Sequence, residues 1–526
     1  MHHTISHRYL HLPVRDGAPM RRLRLRDGDA VLYAFDIELA EGEPDFWVSA
    51  DLWPWLGRTV TLDLDGDESD PGLERCREQD LAAGSDDAYG EPVRPLYHFT
   101  SLRGWNNDPN GLVYYQGEYH LFWQHNPFGR RWGNMHWGHA ISADLIHWRE
   151  LGEALHPDAT GTMFSGCGLV DWHKTSGLGA EEPPTICVYT AAGGRSPESE
   201  EQPFTQCLAY SSDRGRTWTK YTGNPVLGHV AGNNRDPKVV WHAGSERWVM
   251  ALYLEGHTYG LYSSPDLIHW QEESRLEMGD GTECPDLFPL ALDGDPEQVR
   301  WVFWAANGEY RAGDFDGQAF RTESCIRRFY HGGDAYAAQT WSDVPQGRRL
   351  QIAWLRGDIA GTPFNQQMTF PTELTLRSTP GGPRLHTQPV RELALLYRAS
   401  YAWPMVGLGE LARATAGLTG DAYHLTAAVD AASDWELTLR GVPLKYKASP
   451  GEVLLGKCRA TLAASGPVKL EVLLDRASLE VFLDGGRLYF PLAHVFPPAD
   501  DVVLLGGNGD GHLADLQVHE LGSIRR

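Results

Sequence analysis

The chain has 526 residues, 42% hydrophobic and 22% charged, enough for two or three domains with large apolar cores; a single small module and a disordered chain are excluded. Lys and Arg number 46 against 70 Asp and Glu, a formal charge of −24 whose surface repels phosphate backbones and anionic lipid, so nucleic acid and membrane are excluded as partners. The 19 Trp and 57 Gly suit flat stacking platforms on short strands joined by tight turns, and point to an all-β protein holding a neutral, hydroxyl-rich ligand.

From Tyr9 to Asp65, apolar runs such as RRLRL and VLYAFDIEL alternate with Gly, Pro and Asp turns, predicting a small N-terminal β module. Gly66 to Arg94 is acidic, Gly-rich and aperiodic, and is expected to be a linker, so module and linker together occupy 1–90. DLDGDESD has its Gly at the fourth position, where a calcium loop needs it at the sixth, and reads as a solvated turn. The basic N-terminus lacks an apolar leader. Seven cysteines (Cys76, Cys167, Cys187, Cys207, Cys284, Cys325, Cys458) are odd in number and form no CxxC pair. Reduced thiols and a cytoplasmic protein are the expectation, unless a leader has been removed.

Residues 91–376 repeat two phrases. ISADLIHW, SSDRGRTW and SSPDLIHW each place an Asp shortly before a Trp that should fill the core. Between them, a polar cluster opens a pair of apolar runs five times, at WNNDPNG, FSGCG, RDP, ECPD and DAYAAQTW. The openers Asp108, Ser165, Asp236, Glu283 and Asp334 are 57, 71, 47 and 51 positions apart, the length of a four-stranded propeller blade. A five-bladed β-propeller would bring all five to one end of its channel. Val390 to Arg398 suits a short helix, and strict alternation in VKLEVLLD and SLEVFLDGGRLYF predicts a C-terminal β-sandwich over 377–526. On that pattern Glu480 is a surface residue.

Three of the openers are acids, which is the equipment of glycoside hydrolysis: one carboxylate to attack or activate water and one carboxylic acid to protonate the leaving oxygen. Arg235 beside Asp236 would hold that carboxylate ionised, whereas Glu283, next to a thiol and an apolar strand, is the better acid. Asp108 has Asn107 and Asn110 as amide donors. A lone NDPNG is usually a structural turn; recurrence at one phase of the repeat changes the odds. His136 and His139 have no third ligand at standard spacing and read as structural, and neither metal nor cofactor is expected.

WNNDPNG, LFWQHNP, MHWGHAIS, FSG, RDP, ECPDLF and DAYAAQTW, in this order, together with DRASLEVF in the sandwich, resemble the signature blocks of glycoside hydrolase family 32, which comprises invertases, levanases, inulinases and related fructosyltransferases. The resemblance covers Leu96 to the C-terminus and implies a five-bladed propeller followed by a β-sandwich. It implies Asp108 as nucleophile, Asp236 as transition-state stabiliser and Glu283 as acid/base. Fructose contacts fall on Asn107, Gln124, Trp132, Phe164, Ser165, Arg235 and Trp354, with Asp334 as the fifth opener. Asn106 and Cys167 depart from the family pattern and are expected near the pocket. The implied activity is a retaining, exo-acting β-fructosidase on sucrose or fructans; the alternatives are a fructosyltransferase, a non-catalytic fructan-binding propeller and an inverting propeller hydrolase. The N-terminal module resembles that of some levanase-like members and could supply a dimer contact, making a homo-oligomer, or an outer wall for the substrate cleft.

Overall fold

The computed structural model describes residues 2–85, 88–462, 464, 466–497, 504–508 and 511–525. Strands and turns make up nearly all of it; Leu411–Ala414 is the one α-helical turn among the described residues. At the N-terminus, one antiparallel sheet orders His2–Thr4, Thr59–Leu64, Arg21–Asp27 and Ala30–Ile37, and a second orders Phe46–Asp51, Tyr9–Val14 and Arg77–Gln79. The period-two pattern sends Leu10, Leu12, Leu23, Leu25 and Phe35 into one shared core. The expected linker is therefore only partly a linker. Arg77–Gln79 pairs with Tyr9–His11, and Asp70 caps the turn Pro71–Arg75 by accepting from the Gly72 amide at 2.8 Å. A three-residue strand is too short to show alternation.

The middle of the chain builds successive antiparallel sheets. Gly104–Tyr115, Glu118–Asn126, His136–Ser142 and Arg149–Leu155 form the first; Thr162–Lys220 and Arg235–Glu277 supply one four-stranded sheet each. Strands from Asp286–Leu292 onward join those of Ala335–Thr340, Arg349–Leu355 and Thr372–Arg377 in a composite sheet. Phe364–Asn365 returns to pair in parallel with Gly104–Trp105, so the end of this region is fastened to its beginning. The three Asp–Trp phrases fold alike: Asp144, Asp213 and Asp266 accept backbone N–H groups within the turn, and Trp148, Trp218 and Trp270 donate to the carbonyls of Leu145, Gly215 and Leu267 at 2.9, 3.2 and 2.9 Å. Their rings pack into cores between sheets, as expected.

The composite sheet runs past the anticipated break at 376/377, because Arg384–Pro389 pairs with Thr372–Arg377. A 3-10 segment, Arg391–Leu396, then leads into two stacked sheets of six and five strands around Leu425, Leu437, Leu444, Val472 and Phe490. Glu480 is not a surface residue. It is fully buried, accepting from the Phe370 amide at 2.8 Å and the Tyr489 hydroxyl at 2.5 Å, with His98 Nε2 at 2.8 Å. Alternation places it on the outer face of its sheet, but that face packs against the preceding region instead of water.

Candidate active site

At the start of four repeated units the strand register slips: between Asn106 and Pro109, Phe164 and Gly166, Arg235 and Lys238, and Tyr336 and Gln339. Each slip interrupts the ladder and re-aims side chains out of the alternating pattern. Pro109, Pro237 and Pro285 follow Asp108, Asp236 and Cys284, and a residue without an N–H is tolerated where the ladder is broken. Asp236, Glu283, Cys284 and Ala337 have φ of 63°, 55°, 34° and 52°. Such left-handed non-glycine conformations cost on the order of 1–3 kcal/mol each and persist where packing over-determines them. At Gly166 a Cβ would lie 2.1 Å from the Val188 carbonyl oxygen, so only glycine lets Ser165 take its place.

The result is a cavity of about 370 Å³ lined by Asn107, Asp108, Gln124, Trp132, Phe164, Arg235, Asp236, Glu283 and Trp354, all anticipated, and by Arg195, Phe204, Asn233 and Tyr336, which were not. Ser165 stands directly behind. Its Oγ donates to Asp108 Oδ2 at 2.7 Å and accepts from Gln124 Nε2 at 2.6 Å. Asn107 Nδ2 donates to Asp108 Oδ1 and Gln124 Oε1, both at 3.2 Å, and Trp105 Nε1 orients that amide by donating to Asn107 Oδ1 at 2.9 Å. Asp108 is thus a buried acceptor held at both oxygens. Burial raises its pKa, opposed by the Ser165 hydrogen bond.

Asp236 lies across the Cys284 thiol, whose Sγ is 3.5 Å from both Asp108 Oδ2 and Asp236 Oδ2; the Cys284 amide donates to Asp236 at 3.1 Å. The expectation that Arg235 holds Asp236 ionised is corrected here. Burial pushes the Asp236 carboxyl up to about 7 despite Arg235, whose nearest nitrogen to it is 3.7 Å away. The guanidinium instead donates to Glu283 Oε1 at 2.5 Å, while the Tyr336 hydroxyl donates to Glu283 Oε2 at 2.7 Å. Adjacency in sequence did not mean the closest contact, because Asp236 sits at a bulge that turns its side chain away from its neighbour's. Glu283 is the most accessible of the three acids, its side chain 32% exposed against 4% for Asp236.

Asp334 is not brought to the cavity. Its Oδ2 accepts from the Ala493 amide in the C-terminal sheets, and Tyr336, two residues on and beside the bulge, lines the site in its stead. Asn110 does not donate to Asp108; its side-chain Oδ1 accepts from the Gly166 amide at 3.1 Å. Asn106 is fully buried with its amide facing the Asn365 and Gln366 carbonyls, and the Cys167 thiol accepts from the Val239 amide at 3.1 Å, so neither departure lines the pocket. His136 and His139 are buried and pushed to low pKa by desolvation, His136 bonded to the Tyr33 hydroxyl and His139 to His120. Among the described residues no three His, Cys, Asp or Glu are grouped to hold a metal ion. Tyr336 was legible only as one aromatic of DAYAAQTW, and Arg195, Phe204 and Asn233 belong to no phrase that recurs.

This constellation of acids on bulged strands is that of a carbohydrate-cleaving enzyme. Residues 98–389 match the model of the glycosyl hydrolases family 32 N-terminal domain. The levanase of Bacillus subtilis (strain 168) is 35% identical over 491 residues, covering 83% of this chain and 71% of the levanase; the extracellular exo-inulinase of Aspergillus awamori is 30% identical over 495 residues, covering 79% and 91%. The crystal structure of exo-inulinase from Aspergillus awamori superposes with a TM-score of 0.73 at 28% identity, covering 83% of this chain and 99% of that one. The chain belongs to glycoside hydrolase family 32, and it is a glycoside hydrolase of the β-fructofuranosidase class. The cytoplasmic expectation is overturned by the extracellular Aspergillus relatives. Unpaired cysteines do not mark a compartment when, as with Cys167, Cys187, Cys207 and Cys284, they are buried where no oxidant reaches them.

Proposed function

We propose that the chain is a retaining, exo-acting β-fructosidase that releases terminal fructose from sucrose or β-fructans. The observation that carries this reading is the junction at Cys284, with Asp108 and Asp236 on one thiol and Glu283 on the adjoining residue. Asp108, held by Ser165 and Asn107, attacks the anomeric carbon and forms a glycosyl ester as the bond to the leaving oxygen breaks. Glu283, reached by solvent, protonates that oxygen, then accepts a proton from the water that hydrolyses the ester. Asp236, whose raised pKa of about 7 leaves it ionised only as pH passes that value, stabilises in its charged form the positive charge developing on the ring. Asn107, Gln124, Trp132, Phe164, Arg235 and Trp354 bind the sugar; the cavity, small among ligand pockets, suits a chain end better than mid-polymer. The names of the levanase and exo-inulinase relatives support a fructan as substrate.

The same reading takes the sheets from 91 to about 389 as five blades of a propeller, supported by four equivalent bulges and the parallel closure at Phe364–Asn365, with a sandwich following and a β module over 1–90 preceding. The test is product analysis on sucrose, levan and inulin with the anomer followed by NMR at early times. Free fructose from every substrate, first released as the β anomer, is expected. An inverted first product would restore an inverting mechanism, whose carboxyls stand about 6.5–9.5 Å apart instead of about 5–5.5 Å; no cleavage at all would favour a binding propeller.

A further inference from the structure

Two aromatic walls of the cavity, Trp132 and Trp354, hang on one buried cation that is itself held by the N-terminal module. Arg130, its side chain 9% exposed, donates to Asp16 of the module at 2.7 Å, to the Ile359 carbonyl at 2.9 Å and to the Phe364 carbonyl at 3.4 Å. Its own carbonyl accepts from Asn365 Nδ2 at 3.1 Å, and the next residue, Gln366, accepts from Trp354 Nε1 at 3.1 Å. On the other side, the segment 127–134 that carries Trp132 is gripped by the module along its length. Phe128 stacks on Phe35 at 3.6 Å and belongs to the module's core, while Asn134 exchanges two hydrogen bonds with the Asp36 backbone, at 2.7 and 2.8 Å. Trp132 itself is 49% exposed, with Phe164 its one ring partner among the described residues, so the path of its backbone decides where it stands.

We propose that the N-terminal module is a positioning element of the active site, and that Asp16 and Arg130 are positioning residues which set the spacing of Trp132 and Trp354 around the sugar. This rests on the fructosidase reading and adds to it a role for a module none of whose described residues lines the cavity. A wall displaced by an ångström weakens binding of a sugar that must touch both sides, while the Asp108, Asp236 and Glu283 cluster, bonded through Ser165, Asn107 and Tyr336, keeps its geometry.

The test uses the full chain with Asp16→Asn and, should that variant fold poorly, Arg130→Lys, which keeps the charge but lacks the fork that reaches two carbonyls. Arg58→Ala, which removes an exposed pair with Asp27 in the same module, is the control. KM for sucrose and an inulin oligomer should rise about five- to tenfold with kcat within about twofold, as befits loss of a charge-assisted hydrogen bond acting on binding alone. The effect of Asp16→Asn should vanish in a Trp132→Ala, Trp354→Ala background, as coupled residues require. Amide hydrogen exchange should quicken in 127–134 and 358–366 and in neither segment of the control. Unchanged exchange, a kcat loss at constant KM, or a full KM effect without the two tryptophans would overturn the inference. A wild-type chain inert on every fructoside would refute the fructosidase reading instead, and the exchange measurement would still decide the link from Asp16 to the two walls.

Discussion

At the scale of single residues, the site places its three acids in three different environments. Glu283 is accessible and hydrogen-bonded by Tyr336 and Arg235, and the proposed mechanism makes it the group that exchanges protons; Glu283→Gln should then fold normally and lose about 10²–10⁴-fold of its rate on sucrose. An activated aryl fructoside, whose leaving group needs little protonation, should be affected far less, and equal losses would contradict the acid role. Asp236 carries the opposite kind of prediction. Its folded pKa of about 7 lies above that of an unfolded carboxylate, so its contribution favours the fold most below about pH 4 and is lost as pH rises through 7. Asp236→Asn removes that titration and keeps an acceptor for the Cys284 amide. It should therefore abolish activity yet stabilise the protein by roughly 1–2 kcal/mol at pH 8 and by less at pH 4, a few degrees in melting temperature. A destabilised variant at pH 8 would mean that the carboxylate is better solvated than its burial indicates.

At the scale of elements, the bulge is the device that makes a catalytic surface out of a sheet. A regular strand alternates its side chains, so Asn107 and Asp108, or Phe164 and Ser165, would face opposite ways; the register slips let consecutive residues serve one site. Gly166 is where this is most exposed to test. Gly166→Ala forces a Cβ against the Val188 carbonyl and should cost at least about 2 kcal/mol, shift Ser165 and lower kcat, because Asp108 loses an oriented donor. Urea unfolding together with kcat reads both effects. Normal stability with normal kcat would show that the strand pair can open at that point without disturbing Asp108. Beneath the site, Lys238 and Asp286 form a fully buried pair at 3.1 Å, with Lys238 Nζ also donating to the Thr340 carbonyl at 2.8 Å, which ties three of the repeated units together.

At the scale of the whole molecule, the middle and C-terminal regions share a polar centre. His98 is fully buried between Asp475 at 2.9 Å and Glu480 at 2.8 Å. Burial opposes its charge, but the two carboxylates prevail and lift its pKa to about 9. Since the unfolded value is near 6.5, the stabilisation from His98 is complete below about pH 6.5 and is lost as pH rises through 9. Wild-type stability should fall across that window. Glu480→Gln should cost about 3–5 kcal/mol at pH 6, where it leaves the charge half paired, and the gap to wild type should narrow toward pH 9. Parallel stability curves would show that His98 is neutral in the fold. The same buried centre makes the two regions one cooperative unit, so a single unfolding transition is expected by calorimetry.

Much of this protein was legible without coordinates. Strand alternation, the Asp–Trp turns and the phase of WNNDPNG, RDP and ECPD depend on local chemistry and spacing, and they led to an all-β chain and to Asp108, Asp236 and Glu283, which the fold brings to one cavity; the sugar came from the family resemblance. What failed was whatever depended on which faces meet. Glu480 reads as a surface residue until a second region covers its sheet; Asp334 and Tyr336 are separated only by where a bulge falls; Arg235 touches Glu283, 48 positions away, more closely than its own neighbour. The acidic stretch after Gly66 hid a strand whose partner lies near the N-terminus. Local pattern determines which residues can form a strand or a turn, because that choice is made over a few bonds. Pairing, burial and the resulting proton affinities are decided by the tertiary structure, because they depend on residues that only the fold brings within a few ångströms.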